Sequence, residues 1–250
     1  MRRTPARLAL ALALAPSVVA AGCSSGGQEQ ATASTTTSLS APARSTTVTT
    51  AACPGGPVAP EGATGVTEAG ADLDGDGAGD RMVAARLDAG GRTLAVELSS
   101  GGTAAAELGS SEPGGPSPLS VLGGADLGGD GETAFAVTGA GASVLVVQLF
   151  QLAGCDLVAV TDESGQVVDL PVGGGVTHGD GFTCGDGALV VSDADSTDGE
   201  TFRASRTTYR IEGTTLVQTA AETTTLRRDA DDEAIAAAYR IDCPALDRAP

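Results

Sequence analysis

The sequence contains no lysine, no asparagine and no tryptophan, and its only histidine is His178. Without lysine there can be no GK[ST] phosphate-binding loop. A catalytic triad would have only His178, beside Asp180, as its base, and no GxSxG elbow is present to supply a nucleophile. Aromatic residues make up 2% of the chain, so few rings are available to stack on a sugar. These absences disfavour most enzyme classes, although the 32 acidic residues leave a carboxylate-based hydrolase open.

Basic residues are also scarce, because the chain has 14 arginines against 32 acids and a formal charge of −18. Removing Arg2, Arg3 and Arg7 with a cleaved leader takes the charge to −21. A domain this acidic repels nucleic acid and anionic lipid headgroups. Neither is therefore expected as a direct partner, whereas cations are.

The apolar run at residues 8–20 is too short to span a bilayer as a helix, which takes about 20 residues. Three arginines precede this run and small residues follow it, a pattern typical of an export signal over residues 1–22. Residues 20–23, AAGC, resemble the lipobox of bacterial lipoproteins, in which the cysteine is diacylated and becomes the mature N-terminus. The resemblance implies a lipid on Cys23 and a protein anchored to the membrane through that lipid. Ala20 stands where the family prefers leucine, so secretion without an anchor is the alternative.

Residues 23–52 are predicted to be a disordered tether. Serine and threonine supply 14 of the 27 residues from 24 to 50. Such a stretch cannot bury enough apolar surface to offset the entropy of ordering it. As a random coil it would reach about 30 Å. The folded part is therefore expected to be a single domain over residues 53–250.

With Cys23 assigned to lipid, an even number of cysteines remains: Cys53, Cys155, Cys184 and Cys243. Four cysteines in an exported protein predict two disulfides, and three pairings are possible. We expect Cys155 to pair with Cys184, and Cys53 with Cys243. The second bond would join the two ends of the domain, which suits neighbouring first and last strands. A zinc site is disfavoured because there is no CxxC and only one histidine.

A repeat appears when two glycine-rich stretches are aligned. GADLDGDGAGDRMVAARL begins at Gly70, and GADLGGDGETAFAVTGAG begins 54 residues later at Gly124. A weaker third copy, CGDGALVVSD, carries Asp186 and Gly187. Short apolar runs follow each Asp-Gly pair and predict strands at residues 82–85, 134–137 and 188–191. Further strands are predicted at residues 93–98, 143–150, 157–161, 202–211 and 215–224, the last two joined by a hairpin turn at Glu212-Gly213.

A period of about 50 residues predicts stacked β units that share a core. We therefore expect an all-β fold of tandem β-meander repeats, small and propeller-like. Three or four units are few for a closed propeller, so a compact β-barrel or sandwich is the alternative. One short C-terminal helix is predicted over residues 229–240, with acids in its first turn and Arg240 near its end.

The loop at residues 72–80 has the spacing of a calcium site. Asp72, Asp74, Asp76 and Asp80 stand at positions 1, 3, 5 and 9, and the carbonyl of Ala78 stands at position 7. Gly77 at position 6 permits the sharp turn that such ligands need. Position 12 is Val83 rather than the glutamate of an EF-hand, so this is not an EF-hand.

The pattern DxDxDGxxD leading directly into a strand resembles the calcium loops of FG-GAP and VCBS repeats, found on integrin α-subunit propellers. This resemblance covers roughly residues 60–220 and implies a structural Ca²⁺ ion and an adhesion, sensing or binding role. The second copy is a degenerate loop that keeps Asp126 and Asp130, but Gly128 and Ala134 replace two ligands. It should bind calcium weakly or not at all.

The sequence thus predicts a lipid-anchored, calcium-stabilised β-repeat module at the cell envelope. Its role would be to bind or scaffold an envelope protein or glycan, as a monomer and without catalysis. The alternatives are a purely structural envelope lipoprotein and a hydrolase with a carboxylate site of unrecognised pattern.

Overall fold

The folded part of the chain is built almost entirely of β-strands. The computed structural model describes residues 53–59, 61–88, 90–108 and 118–246, which all belong to one compact unit. The predicted signal peptide, the Cys23 lipid site and the tether over residues 23–52 lie outside the described residues. Strands account for 59% of the structure and helix for 5%, which confirms the all-β prediction with one short C-terminal helix.

The first sheet is a four-stranded antiparallel meander in which each strand pairs with the next. Its strands are β1 (Thr64–Ala71), β2 (Asp80–Arg86), β3 (Arg92–Glu97) and β4 (Thr103–Leu108). The loop at residues 72–80 connects β1 to β2. The first Asp-Gly repeat therefore forms a separate sheet.

The second sheet contains eleven strands and includes both of the other Asp-Gly pairs. These strands are β5 (Ser120–Ala125), β6 (Thr133–Ala140), β7 (Val144–Ala153), β8 (Asp156–Ala159), β9 (Thr161–Asp162), β10 (Asp169–Gly174), β11 (His178–Gly185), β12 (Ala188–Ser196), β13 (Thr201–Glu212), β14 (Thr215–Arg227) and β15 (Ile241–Asp242). Their order is β5-β6-β7-β10-β11-β12-β13-β14-β9, with β8 beside β7 and β15 beside β11. Neither sheet closes into a barrel.

The helix α1 (Arg228–Ala237) follows β14 directly and is interrupted by non-helical dihedral angles at Asp231. It ends before Arg240, so this arginine does not lie in the last turn as predicted. Ile235 of α1 is buried against Phe202 and Ala204 of β13. The helix thus covers one end of the long β13–β14 hairpin.

Strands β6 and β7 are buried on both faces and form the centre of the molecule. Because side chains alternate along a strand, Phe135 and Val137 face one apolar cluster while Ala134 and Ala136 face another. The first cluster is enclosed by the second sheet. The other lies between the two sheets, where Met82 of β2 and its neighbours on β3 pack against β6 and β7.

The predicted disulfide pairing is wrong, although all four cysteines are bonded. Cys53 pairs with Cys155, with their Cα atoms 5.3 Å apart, and Cys184 pairs with Cys243 at 4.6 Å. Cys53 lies beside the start of β4, where Pro54 accepts a hydrogen bond from the Thr103 amide, and faces the β7–β8 turn. The two ends of the domain adjoin different strands, so no terminal disulfide closes it.

Two disulfides indicate an oxidising environment outside the cytoplasm. Of the residues that the structure describes, none belongs to a helix with the length and apolar character that crossing a membrane demands.

Candidate metal centre

The loop at residues 72–80, called the metal loop below, is shaped by two glycines and one buried leucine. Gly75 and Gly77 have φ angles of 69° and 86°, which L side chains rarely adopt. Leu73 is 2% exposed and enters the cluster between the sheets. The loop therefore bends sharply at its glycines while Leu73 anchors its base.

Three of the four predicted carboxylates converge. One oxygen each from Asp72, Asp74 and Asp80 lies within 4.8 Å of the others, an arrangement that can hold a metal ion. Asp76 lies outside this group: its Oδ2 accepts a hydrogen bond from the Ser99 hydroxyl at 2.9 Å, and its Oδ1 accepts one from the Ala78 amide at 2.7 Å. Asp76 and the carbonyl of Ala78 remain predicted ligands.

Asp80 has a structural role besides its place in the cluster. Its side chain is buried, at 3% exposure, and both oxygens accept backbone hydrogen bonds. Oδ2 accepts from the Leu73 amide and Oδ1 from the Ser99 amide, each at 2.8 Å. Asp80 therefore fixes the metal loop to the β3–β4 turn. Ser99 carried no sequence signal for this role, because it belongs to an ordinary polar turn.

Asp72 supplies the strongest indication that the loop can bind a cation. Its Oδ2 accepts a hydrogen bond from the Gly77 amide at 3.0 Å. Its Oδ1 is buried and has no hydrogen-bond partner, alone among the buried side-chain oxygens and nitrogens of the described residues. A buried charged oxygen without a partner is costly, so such groups call for an explanation. A bound cation would satisfy it, and the oxygen-only donor set fits a hard cation.

The electrostatics of the loop are also unfavourable without a cation. Partial desolvation raises the pKa of the Asp74 carboxyl, and a hydrogen bond from the Asp76 amide opposes this rise. The negative charges of Asp80, Asp76 and Asp72 raise that pKa further. A divalent ion among these groups would relieve the mutual repulsion of the carboxylates.

The second loop, residues 126–132, lies against the metal loop. Asp126 accepts a hydrogen bond from the Gly128 amide through its Oδ1, at 2.7 Å. Asp126 and Asp130 line a cavity of about 230 Å³ together with Asp72 and Glu132. Neither joins the cluster of three aspartates. Glu132, which the sequence analysis passed over although it directly follows the second Asp-Gly pair, bonds to the backbone of Asp72.

The third Asp-Gly pair forms a hairpin turn. Asp186 and Gly187 have φ angles of 52° and 67°, as the two central residues of a type I′ turn require, and they join β11 to β12. An acidic stretch at residues 193–200 begins within β12, which extends to Ser196. Only its end turns, where Asp198 Oδ1 accepts hydrogen bonds from the Glu200 and Thr201 amides.

His178 is the first residue of β11. Its Nδ1 lies 2.6 Å from Asp195 Oδ1, and its Nε2 lies 2.8 Å from Asp180 Oδ2. Both ring nitrogens are thus held by carboxylates, an arrangement that favours a charged imidazolium over a general base. Cys184, six residues further on, is in a disulfide.

We expect the contacts of His178 with the carboxylates of Asp180 and Asp195 to depend on pH. The hydrogen bond with Asp195 raises the pKa of His178 above its ordinary 6.5, burial opposes this, and the charges of Asp180 and Asp195 raise it further. The stabilisation that these contacts give to the folded state is fully present below pH 6.5. It is lost as the pH rises through the raised pKa of His178. An NMR titration of this single histidine should show a lower pKa in Asp195→Asn. An unchanged pKa would contradict the role of Asp195.

No protein-family model, no curated protein and no solved structure matches the chain.

Proposed function

We propose that the protein is an extracytoplasmic, calcium-stabilised β module, held at the cell envelope by a lipid on Cys23, that binds or scaffolds an envelope protein or glycan. The observation that carries the proposal is the buried, unpartnered Oδ1 of Asp72 within a group of three converging aspartates. The resemblance of this loop to those of FG-GAP and VCBS repeats supports a binding role.

Calcium fits the donor set better than the alternatives. The group offers oxygen only, which disfavours zinc and copper, whose protein sites use imidazole or thiolate. Magnesium demands near-ideal octahedral geometry and keeps several waters, whereas calcium accepts six to eight oxygens in irregular arrangements. Asp72, Asp74 and Asp80 would supply the carboxylates, with Asp76 and the Ala78 carbonyl completing the set. The ion would neutralise the loop and fix the start of β2.

The sequence before Cys53 supports the proposed lipid anchor. The two disulfides are consistent with a folded part outside the cytoplasm, and a Ser/Thr-rich spacer precedes that part. Cys23→Ser should move the full-length chain from the membrane fraction to the medium of its native host. Wild-type protein that is recovered from the medium instead of the membrane fraction would contradict lipidation.

Calcium should raise the thermal stability of the folded protein. Extracellular sites bind with dissociation constants of about 10⁻⁴–10⁻³ M, so 5 mM Ca²⁺ should add about 1–2 kcal/mol. The melting temperature of the protein should then rise by about 3–8 °C over that in chelator. Melting curves in Ca²⁺, Mg²⁺ and EDTA measure this.

Asp74→Ala provides the matched control, because Asp74 is exposed and its loss should remove the calcium response while changing the melting temperature in EDTA little. A wild-type protein whose melting temperature is the same in Ca²⁺ and EDTA would refute the calcium site. An equal shift in Asp74→Ala would place the ion elsewhere.

A further inference from the structure

The two loops meet at backbone distance, and glycines make this possible. A Cβ atom at Gly131 would overlap the Leu73 carbonyl, and one at Gly75 would overlap the Asp130 carbonyl. Gly75 belongs to the metal loop of the first sheet, whereas Gly131 belongs to the loop that connects β5 to β6 of the second sheet. The metal loop is therefore a turn within the first sheet and also part of the contact between the two sheets. This contact is called the seam below.

Glu132 makes two hydrogen bonds across this seam, both to Asp72. Its amide donates to the Asp72 carbonyl at 2.8 Å, and its Oε2 accepts from the Asp72 amide at 2.8 Å. Both backbone groups of Asp72 are thus bonded to one residue of the other sheet. A second link lies further along the seam, where the Val121 amide donates to Thr67 Oγ1 at 3.1 Å.

Asp72 is consequently shared between two tasks. Its backbone is held by Glu132, and its side chain reaches into the aspartate cluster with Oδ2 bonded to Gly77 and Oδ1 free of partners. The position of that Oδ1 depends on the position of the Asp72 backbone. Within the described residues, the hydrogen bonds of Asp74 and Asp80 go to Asp76, Leu73 and Ser99, and none reaches the second sheet.

We infer that Glu132 is a positioning residue for the metal ligand Asp72, so that a cation in the metal loop locks the first sheet onto the second. The inference rests on the proposed calcium site. Groups that hold a metal ligand in place are typically worth a 10–100-fold change in affinity. Because linkage is reciprocal, a seam that strengthens calcium binding is itself strengthened by calcium.

Two substitutions separate position from charge. Glu132→Ala removes the acceptor of the Asp72 amide and should weaken calcium binding about tenfold. Glu132→Gln keeps an acceptor oxygen of the same reach but removes the charge, and its affinity should stay within about threefold of wild type. Calcium titration calorimetry on the full folded domain, well below its melting temperature, gives both dissociation constants.

Hydrogen–deuterium exchange tests the locking itself. Adding calcium to the wild type should slow exchange at residues 126–132, none of which belongs to the cluster of three aspartates, as well as at residues 72–80. In Glu132→Ala the protection of residues 126–132 should be lost, while residues 72–80 keep part of theirs.

The outcomes are distinct. A wild type that binds no calcium overturns both this inference and the proposed function. Wild-type binding with unchanged affinity in Glu132→Ala overturns the inference alone. Equal weakening by Glu132→Gln and Glu132→Ala would show that charge, not position, matters, and protection confined to residues 72–80 would show that the ion does not act across the seam.

Discussion

Asp80→Ala is expected to lower the free energy of unfolding by about 3–5 kcal/mol even in the presence of EDTA. The reason is that both carboxylate oxygens of Asp80 accept backbone hydrogen bonds, from Leu73 and Ser99, in a site that is 3% exposed. Hydrogen bonds to a charged group contribute about 1.5–3 kcal/mol each, and their loss leaves two N–H groups without acceptors. The melting temperature should fall by about 10 °C, measured by calorimetry in chelator.

Asp76→Ala is the matched control for this prediction. Asp76 is an exposed aspartate of the same loop, and it also contacts Ser99, but through the hydroxyl instead of the amide. Its loss should cost less than about 1 kcal/mol in EDTA, as expected of an exposed polar contact. If Asp76→Ala and Asp80→Ala lowered the free energy of unfolding equally, the two backbone hydrogen bonds of Asp80 would contribute nothing beyond the effect of its negative charge in the loop.

Removing the Cys184–Cys243 disulfide by the double substitution Cys184→Ala and Cys243→Ala is expected to cost about 4 kcal/mol. The bond closes a segment with a sequence separation of 59 residues, and the entropic model gives that magnitude for a loop of this length. Cys243 is also buried in the cluster enclosed by the second sheet, where it holds β15 beside β11. Urea denaturation of the oxidised variant and wild type measures the difference.

The connectivity can be checked independently on the wild-type protein. A digest without reducing agent should yield peptides joining Cys53 to Cys155 and Cys184 to Cys243. A peptide joining Cys53 to Cys243 would contradict the structure. A double variant as resistant to urea as the wild type would show that β15 is held by packing alone.

The parts of the fold predicted from sequence are those that depend on local pattern. Apolar runs after each Asp-Gly pair lie within β2, β6 and β12, and Gly213, with a φ angle of 63°, turns the β13–β14 hairpin. Cysteine pairing was not predictable because it depends on which strands become neighbours, and here the domain ends adjoin different strands.

Glycine-rich strands were missed because their glycines serve long-range packing. Strand β11 reads HGDGFTCG, which looks like a loop. A Cβ atom at Gly181 would lie 2.6 Å from the Arg240 amide nitrogen, and one at Gly179 would overlap the Tyr239 ring. The C-terminal segment thus requires bare backbone beneath it. The local sequence of β11 does not indicate that a segment about 60 residues further along the chain packs against it.

The candidate metal site shows the same division between local and distant information. The spacing of Asp72, Asp74 and Asp80 within one short loop was readable directly, and these three converge. Glu132 and Ser99 were not readable, because each acts on the loop from another turn that the fold brings alongside. Local spacing therefore predicted the three aspartates that converge, whereas the groups that hold them in place could be found only from the tertiary structure.

The Cys53–Cys155 bond has a mechanical consequence. It ties the first residues of the domain covalently to the turn between β7 and β8 of the second sheet. A force applied between the chain that precedes Cys53 and a molecule bound to the second sheet would be transmitted through this disulfide. Strands β1 to β4 would then lie outside the line of tension, so such a force would leave their hydrogen-bond ladders, and the metal loop between β1 and β2, unloaded.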